Sequence, residues 1–503
     1  MSRIDARLKS VIIFIHRWIG VGFCSLFLLW FLSGMFMLYC AYPVVQERDR
    51  LDRASVLHPA AIRLSPQEAY MQLQTRASPD RVRIDVFDGR PIYRFRFGRD
   101  ESLVYADNGA VQDDFPRDLT LRIASAWSGQ PPTAARVEEK TEEDQWTVSG
   151  EFEARRPLRK YSWPDGEQVY VSAVTGEVVQ YTTRAARMKA YLGPIPHWLY
   201  FTPLRKHGNG WSHFVIAASA LATVAAILGI VAGVWSYSPS KQYPQVKGRS
   251  SIPYIGSKRW HMILGLVFGP VACTWAFSGM LSMDPFPQLR SATPAAMSTP
   301  VTQALRGLPA PASAFTAKSP EVALLELGSD FRAKEMEMIS FAGEPIYLAA
   351  AGPNETRIVP VHGQPVAQFD RQSIVDRLRR AEGVPELEQV RLVTQYEAYY
   401  VDRHNTLPLP VIFVQLKDRQ HSAYYIDPKT AQVVQAFDAR SRWNRWLYHG
   451  LHSMDLPWLY RHRPIGDIVI LALLIGGTSL CITSLMLAWG VLRRNLRRTA
   501  ASL

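Results

Sequence analysis

Residues 259–280 read RWHMILGLVFGPVACTWAFSGM, an apolar run that carries a histidine and two tryptophans into what otherwise looks like membrane helix. The same pattern stands 245 positions earlier in HRWIGVGFCSLFLLWFLSGM, His16 to Met35. An ungapped overlay places His16 on His261, Gly20 on Gly265, Phe23 on Phe268, Trp30 on Trp275, and Ser33-Gly34-Met35 on Ser278-Gly279-Met280. Seven identities in twenty positions exceed chance, so the chain reads as a tandem duplication whose copies share the histidine.

The 503 residues are 48% apolar, but the polarity is divided by region. Four runs approach or exceed the roughly 20 residues that a bilayer requires: about 11–42, 211–237, 260–283 and 465–491. The expected plan is therefore 1–42 as tail and first helix, 43–210 as a polar domain, 211–237 as the second helix, and 238–259 as a basic loop. It continues with 260–283 as the third helix, 284–464 as a second polar domain, 465–491 as the fourth helix and 492–503 as a basic tail. Arg3, Arg7 and Lys9, then Lys241, Lys247, Arg249, Lys258 and Arg259, then Arg493, Arg494, Arg497 and Arg498, all flank one set of helix ends. The positive-inside rule assigns those ends to the cytoplasm and both polar domains to the far side, the periplasm of a Gram-negative cell. Much of the net charge of +13 follows from topology, without nucleic acid. The first apolar run is too long for a signal-peptide core and no A-x-A-like site follows it, so it reads as an uncleaved anchor. Cys24, Cys40, Cys273 and Cys481 all fall in predicted helices, leaving the exported domains without disulfides.

Both polar stretches read as helix-plus-hairpin units. SPQEAYM (65–71) opens with a capping-box pattern and is followed by the alternating segments RVRIDVF, PIYRFRFG and ESLVYAD. Asp88-Gly89 and Asn108-Gly109 supply the turns. SPEVALLELG (319–328), MEMISF, PIYLAAA and TRIVPV repeat the scheme, and QVYVSAVTGEVVQY and SAYYIDPKTAQVVQAF close each unit. Residues 293–320, rich in Pro, Ala and Ser, are expected to form an extended connector.

With IHRWIG opening the first helix, SGM closing it, the TGEVV and DPKTAQVV hairpins, and RWLYHGLHSMDLPWLY before the last helix, the chain resembles the PepSY-associated transmembrane family. That family includes iron-regulated inner-membrane proteins and ferric-siderophore reductases. The resemblance implies an α-helical membrane protein with four transmembrane helices in two tandem repeats and two periplasmic α+β domains of PepSY type.

An ionisable side chain at membrane depth is costly and is a functional hypothesis by default. His16 and His261 either reach water at the cytosolic edge or ligate haem, since neutral imidazole binds iron without burying charge. Placed at equal depth across a two-fold axis, they supply both axial ligands of one haem, with Arg17, Lys258 and Arg259 available to its propionates or to lipid headgroups. A second cluster, His449 and His452 in WLYHGLH, is expected on one side of a helical turn at i, i+3 spacing. In the first-half counterpart HWLYFTPL, Phe201 and Leu204 stand at the matching places, so the iron partner is expected from a non-equivalent position, His213 or His197. The alternatives are interfacial histidines or a zinc pair, the latter without a clear third ligand. Trp30 and Trp275 read as interfacial anchors, with packing against a second haem as the alternative. His58, His362, His404 and His421 are isolated.

No G-x-G-x-x-G after a strand, Walker loop, G-x-S-x-G or C-x-x-C-H is present. Any haem is then non-covalent haem b, one or two per chain, and electrons come from elsewhere, a quinol or a cytosolic reductase. The leading expectation is an inner-membrane haem protein that passes electrons outward to a ferric chelate such as a ferric siderophore. The basic stretch EARRPLRKY (153–161) is suited to anionic chelates. The alternative is a cofactor-free membrane scaffold whose polar domains bind or inhibit another envelope protein.

Overall fold

A computed structural model of the chain describes residues 3–75, 77–98, 100–245, 248–286, 294–307, 310–402 and 406–500. His404 and Lys247 lie outside the described residues. Four helices are long and apolar enough to cross a membrane: Arg3–Met37, Gly208–Ser236, Gly256–Leu281 and Ile465–Ala500. Each is longer than its apolar run because polar turns continue it. The 35-residue first helix extends about 50 Å at 1.5 Å per residue, beyond a hydrocarbon layer of about 30 Å.

The helices pack as a closed four-membered bundle, second on third, third on fourth, first on fourth and first on second. Small residues permit close approach where lipid offers no hydrophobic drive. On the second helix Ala218, Ser219, Ala222 and Ala225 are buried. Its contact with the third helix is reciprocal: a Cβ at Gly233 would meet Leu266 at 3.0 Å, and one at Gly269 would meet Ile230 at 3.2 Å. At one end the second and third spanning helices are joined through the short connection 237–255; among the described residues the larger sheets lie at the other end, hereafter the sheet side.

Strands β1 (Arg81–Phe87), β2 (Arg90–Phe97), β3 (Asp100–Tyr105) and β4 (Val111–Gln112) form a meander, as do β5 (Arg136–Lys140), β6 (Leu158–Ser162), β7 (Gln168–Ser172) and β8 (Val178–Thr182). The short pair β9 (Tyr243–Pro244) and β10 (Arg249–Ser250) lies in the connection between the second and third spanning helices. The second half supplies β11 (Glu335–Phe341), β12 (Glu344–Gly352) and β13 (Glu355–Pro360), then β14 (Leu387–Val393), β15 (Val411–Leu416), β16 (Ala423–Asp427) and β17 (Gln432–Phe437). Asp88 and Gly89, both at positive φ, turn β1 into β2 as their sequence demands.

The stretches 43–210 and 284–464 do not close into two separate domains. β1 pairs antiparallel with β11, giving one seven-stranded sheet of order β13-β12-β11-β1-β2-β3-β4. Strand edges left open by each half are satisfied by the other. One face of this sheet, with Ile84, Tyr93, Phe95, Met336 and Tyr347, is covered by the helices Pro66–Met71 and Pro320–Leu327 in a core drawn from both halves. The opposite face carries a central charged stripe where the halves meet. Arg83 stands opposite Glu337 in the register, and Asp85 accepts from Arg94 Nε at 2.8 Å and lies 3.2 Å from Arg83 Nε.

The extended connector expected over 293–320 is in part a helix, Pro294–Arg306. Val301 and Leu305, one turn apart, are fully buried beside Ile339 and Ile346 of the sheet, so tertiary packing overrides the Pro/Ala/Ser composition.

Candidate functional site

Where the first and third spanning helices end at the sheet side, a cavity of about 480 Å³ opens between the bundle and the segments that cap it. Two histidines enter it. His197 lies on the short helix Pro194–Trp198, and His452 on the turn that follows the π-helical segment Arg445–Gly450. Their ring centroids are 6.0 Å apart, with planes inclined at 61°.

The motif S-G-M accounts for how each ring is held. His197 Nδ1 lies 3.1 Å from Ser33 Oγ and 3.2 Å from the Trp30 carbonyl. His452 Nδ1 lies 3.1 Å from Ser278 Oγ and 3.2 Å from the Trp275 carbonyl. Gly34 and Gly279 lie against these rings: a Cβ at either would stand in ordinary contact, 3.5 or 3.4 Å from the respective Cε1. Each serine donates its own proton one turn back, Ser33 to the Leu29 carbonyl at 2.6 Å and Ser278 to that of Thr274 at 2.7 Å. A carbonyl and a hydroxyl whose proton is engaged can only accept from the ring. Both imidazoles therefore carry hydrogen on Nδ1 and leave Nε2 with its lone pair, an assignment made from the hydrogen-bond network.

The second pair lies at the other end of the bundle. His16 and His261 have ring centroids 6.2 Å apart with planes inclined at 33°. His16 Nδ1 donates to the Ala225 carbonyl at 2.9 Å. His261 Nδ1 lies 3.2 Å from Thr483 Oγ1 and 3.4 Å from Ser484 Oγ, and both hydroxyls donate to the Leu480 carbonyl. Among the described residues Nε2 has no hydrogen-bond partner here either. Gly229 lies against the His16 ring, where a Cβ would come within 2.6 Å of Cε1. His16 and Ser33 are 17 positions apart on one helix, so the two pairs are separated by about 25 Å along the bundle axis.

Each pair offers two neighbouring imidazoles whose other ring nitrogen is already engaged. Metal–imidazole bonds of about 2 Å on either side of one ion hold two rings about as far apart as each pair stands. Nδ1–H bound to an oxygen is the usual outer-shell arrangement that fixes the tautomer of a ligating histidine. Among the described residues no cluster of three or more His, Cys, Asp or Glu is placed to hold a metal ion; two imidazoles alone could serve a group that brings its remaining ligands with it. Burial, together with the neighbouring His452 ring, pushes His197 down to about 4, and burial lowers His452 as well. Both stay neutral, as ligation requires.

His197, not His213, faces His452. His213 is exposed, because Trp211, Val215 and Ser219, at i, i+4 and i+8, turn that face of the second helix to the cavity and leave the residue after Ser212 on the far side. The sequence overlay of Phe201 and Leu204 on His449 and His452 is also corrected. His197 holds the place equivalent to His452 against the first helix, although it precedes WLY where His452 follows it. His449 and His452 do not share a side, since the wider π-helical turn separates them; the His449 side chain is 52% exposed and 3.9 Å from Asp455.

Trp30 and Trp275 line the cavity rather than standing only as interfacial anchors, and Trp275 Nε1 is buried without a hydrogen-bond partner. Arg17 lies over the rings of Phe14 and Trp18 at 5.5 and 5.7 Å, and Lys258 is exposed. Arg259 is half-buried. The basic stretch 153–161 is largely satisfied internally. Arg156 donates to the carbonyls of Lys140, Glu142 and Thr147, Arg159 pairs with Glu139 at 3.2 Å, and Lys160 lies 3.9 Å from Glu138. The spacing of polar residues gave no sign of this, because β5 brings its two glutamates from a distance.

No curated protein matches the chain. The sequence model of the PepSY-associated TM region matches twice, over residues 14–348 and 258–502, and the two matches together take in both histidine pairs and nearly the whole chain. This chain, with its four apolar helices and shared sheet, belongs to the PepSY-associated TM family.

Proposed function

We propose that the chain is a duplicated inner-membrane b-type haem protein that passes electrons outward and reduces a ferric chelate, such as a ferric siderophore, at the periplasmic face. The observation that supports it best is the presence of two histidine pairs, one at each end of the bundle, with rings about 6 Å apart and each Nδ1 engaged, so that Nε2 has no partner among the described residues. Bound haem supplies an iron that exchanges one electron at a time. The protein's part is to hold the four imidazoles neutral and in one tautomer, and to exclude water around them. The basic ends on the side away from the sheets match a cytoplasmic face, where a quinol or a cytosolic reductase supplies electrons. At the sheet side one electron converts the substrate's Fe(III) to Fe(II), which weakens its hold by hard oxygen ligands.

The test is a pyridine haemochrome assay and a reduced-minus-oxidised spectrum on protein produced with haem supplied. The expected result is up to two haems b per chain with low-spin spectra, and His452→Ala retaining insertion while losing ferric-chelate reduction. Protein without haem overturns the reading and leaves the scaffold role.

A further inference from the structure

A second cavity, of about 250 Å³, lies at the sheet side between residues 395–401 and the segment Pro457–Arg463. It is smaller than the sites that enclose drug-sized molecules, so it suits a small ligand or one arm of a larger one. Its wall is rich in donors. Tyr460 Oη is buried and has no hydrogen-bond partner among the described residues. Arg461 makes no ion pair or hydrogen bond among the described residues, and the Gln395 side chain makes none either. Arg463 lies over the Tyr460 ring at 5.9 Å and reaches Asp467 only at 3.8 Å. The one carboxylate lining the cavity, Glu397, is already answered: Oε1 accepts from Arg391 at 2.5 Å and from Tyr425 at 2.7 Å. Tyr396 is engaged with the Leu407 carbonyl at 2.9 Å.

The first of these segments, 395–401, is also tied to the turn that carries His452 of the sheet-side pair. Arg445 bridges the Ala398 carbonyl at 3.0 Å and the Asp455 carbonyl at 2.6 Å. Trp446 Nε1 donates to Tyr399 Oη at 3.0 Å. The cavity wall is thus tied to the turn that carries His452.

We propose that this cavity binds a carboxylate-type oxyanion arm of a small soluble iron chelate, with Tyr460, Arg461 and Arg463 as its donors. Two guanidinium groups and a phenol lining one space can give short charge-assisted bonds to such oxygens. Assignment of the ligand as an iron chelate rests on the proposed function; the oxyanion chemistry rests on the cavity. A lipid phosphate has the same chemistry, and exposed Trp458 beside the cavity makes that the rival source.

The experiment is equilibrium dialysis of radiolabelled ferric citrate against the purified full chain, without any reductant. Arg461→Gln/Arg463→Gln is expected to weaken binding about tenfold or more, and Tyr460→Phe by a smaller factor, with haem content unchanged. Equal affinity of wild type and the double variant overturns the site. Loss of ferric citrate binding in nanodiscs of phosphatidylglycerol, but not of phosphatidylcholine, also overturns it and assigns the cavity to a headgroup. The two proposals fail separately. Chelate reduction by haem-loaded protein with unaltered binding in the double variant sinks this site alone. Haem-free protein whose citrate binding falls in the double variant sinks only the redox reading.

Discussion

At the scale of single residues, the S-G-M motif has a physical content that its sequence alone did not declare: the serine orients a ring and the glycine packs against it. The close approach of Gly229 to His16 makes a sharp test. Gly229→Ala places a methyl 2.6 Å from the ring and is expected to empty the His16/His261 pair, whereas Gly20→Ala, with nothing within 4 Å, leaves it intact. Haem per protein and the low-spin spectrum, at matched expression, decide it. Two histidines on one iron also act as a unit, so His16→Ala and His261→Ala should each lose the same haem and the double variant little more. Additive losses would show that each ring serves its own group. A pH effect follows from His197, held neutral with its value pushed down to about 4 against about 6.5 in an unfolded chain. The unfolded chain takes up the proton first, so this contribution is level above about pH 6.5 and destabilises progressively as pH falls towards 4. Melting of haem-free protein between pH 7.5 and 5 should show the slope, and His197→Phe should reduce it; an unchanged slope refutes the assignment. His16 and His261 were legible because a repeat and a costly intramembrane charge both pointed to them. His197 was not, because it reaches its place from the other side of the WLY sequence, and only the fold relates it to His452.

At the scale of elements, hairpins and spanning helices were legible from alternation, turn residues and apolar length, all local signals. The helix Pro294–Arg306 and the π-helical turn at Arg445 were not, since packing against the sheet decides the first and a backbone irregularity the second. Nor did local pattern foretell that β1 would pair with β11, because a strand's sequence specifies which face it buries more firmly than which neighbour it meets. The charged stripe at that junction carries a measurable consequence. Asp85 is 6% exposed and contacts both Arg83 and Arg94, the latter also nearly buried. Asp85→Ala leaves those guanidinium groups short of a partner and is expected to cost about 3 kcal/mol or more. Asp52→Ala, which removes the exposed pair to Arg48, should cost less than about 1 kcal/mol. Denaturant titration of the purified chain in detergent compares them, and equal costs would mean that the stripe contributes no more than surface charge.

At the scale of the whole molecule, the duplication suggested by the two apolar stretches leads to an expectation that two independent domains would not share. Each half has two spanning helices and a strand set, yet the principal contacts cross between halves: first helix on fourth, second on third, β1 on β11, and a sheet core drawn from both. Expressed alone, 1–245 would present β1 as an open edge and half of that core to solvent, a configuration that invites aggregation. The same holds for β11 in 248–503. Each half nevertheless begins with its own spanning helix and a basic flank, so each contains what it needs to insert. Co-expression of the two fragments, cut within the connection between the second and third spanning helices, is therefore expected to reconstitute a complex that copurifies through a tag on either fragment. Single fragments should be degraded or aggregate. Because His16 pairs with His261 and His197 with His452, both pairs span the cut, and haem should appear only in the complex. A fragment that folds as a stable monomer and binds haem by itself would show that each half closes its own sheet and site, contrary to the pairing described above.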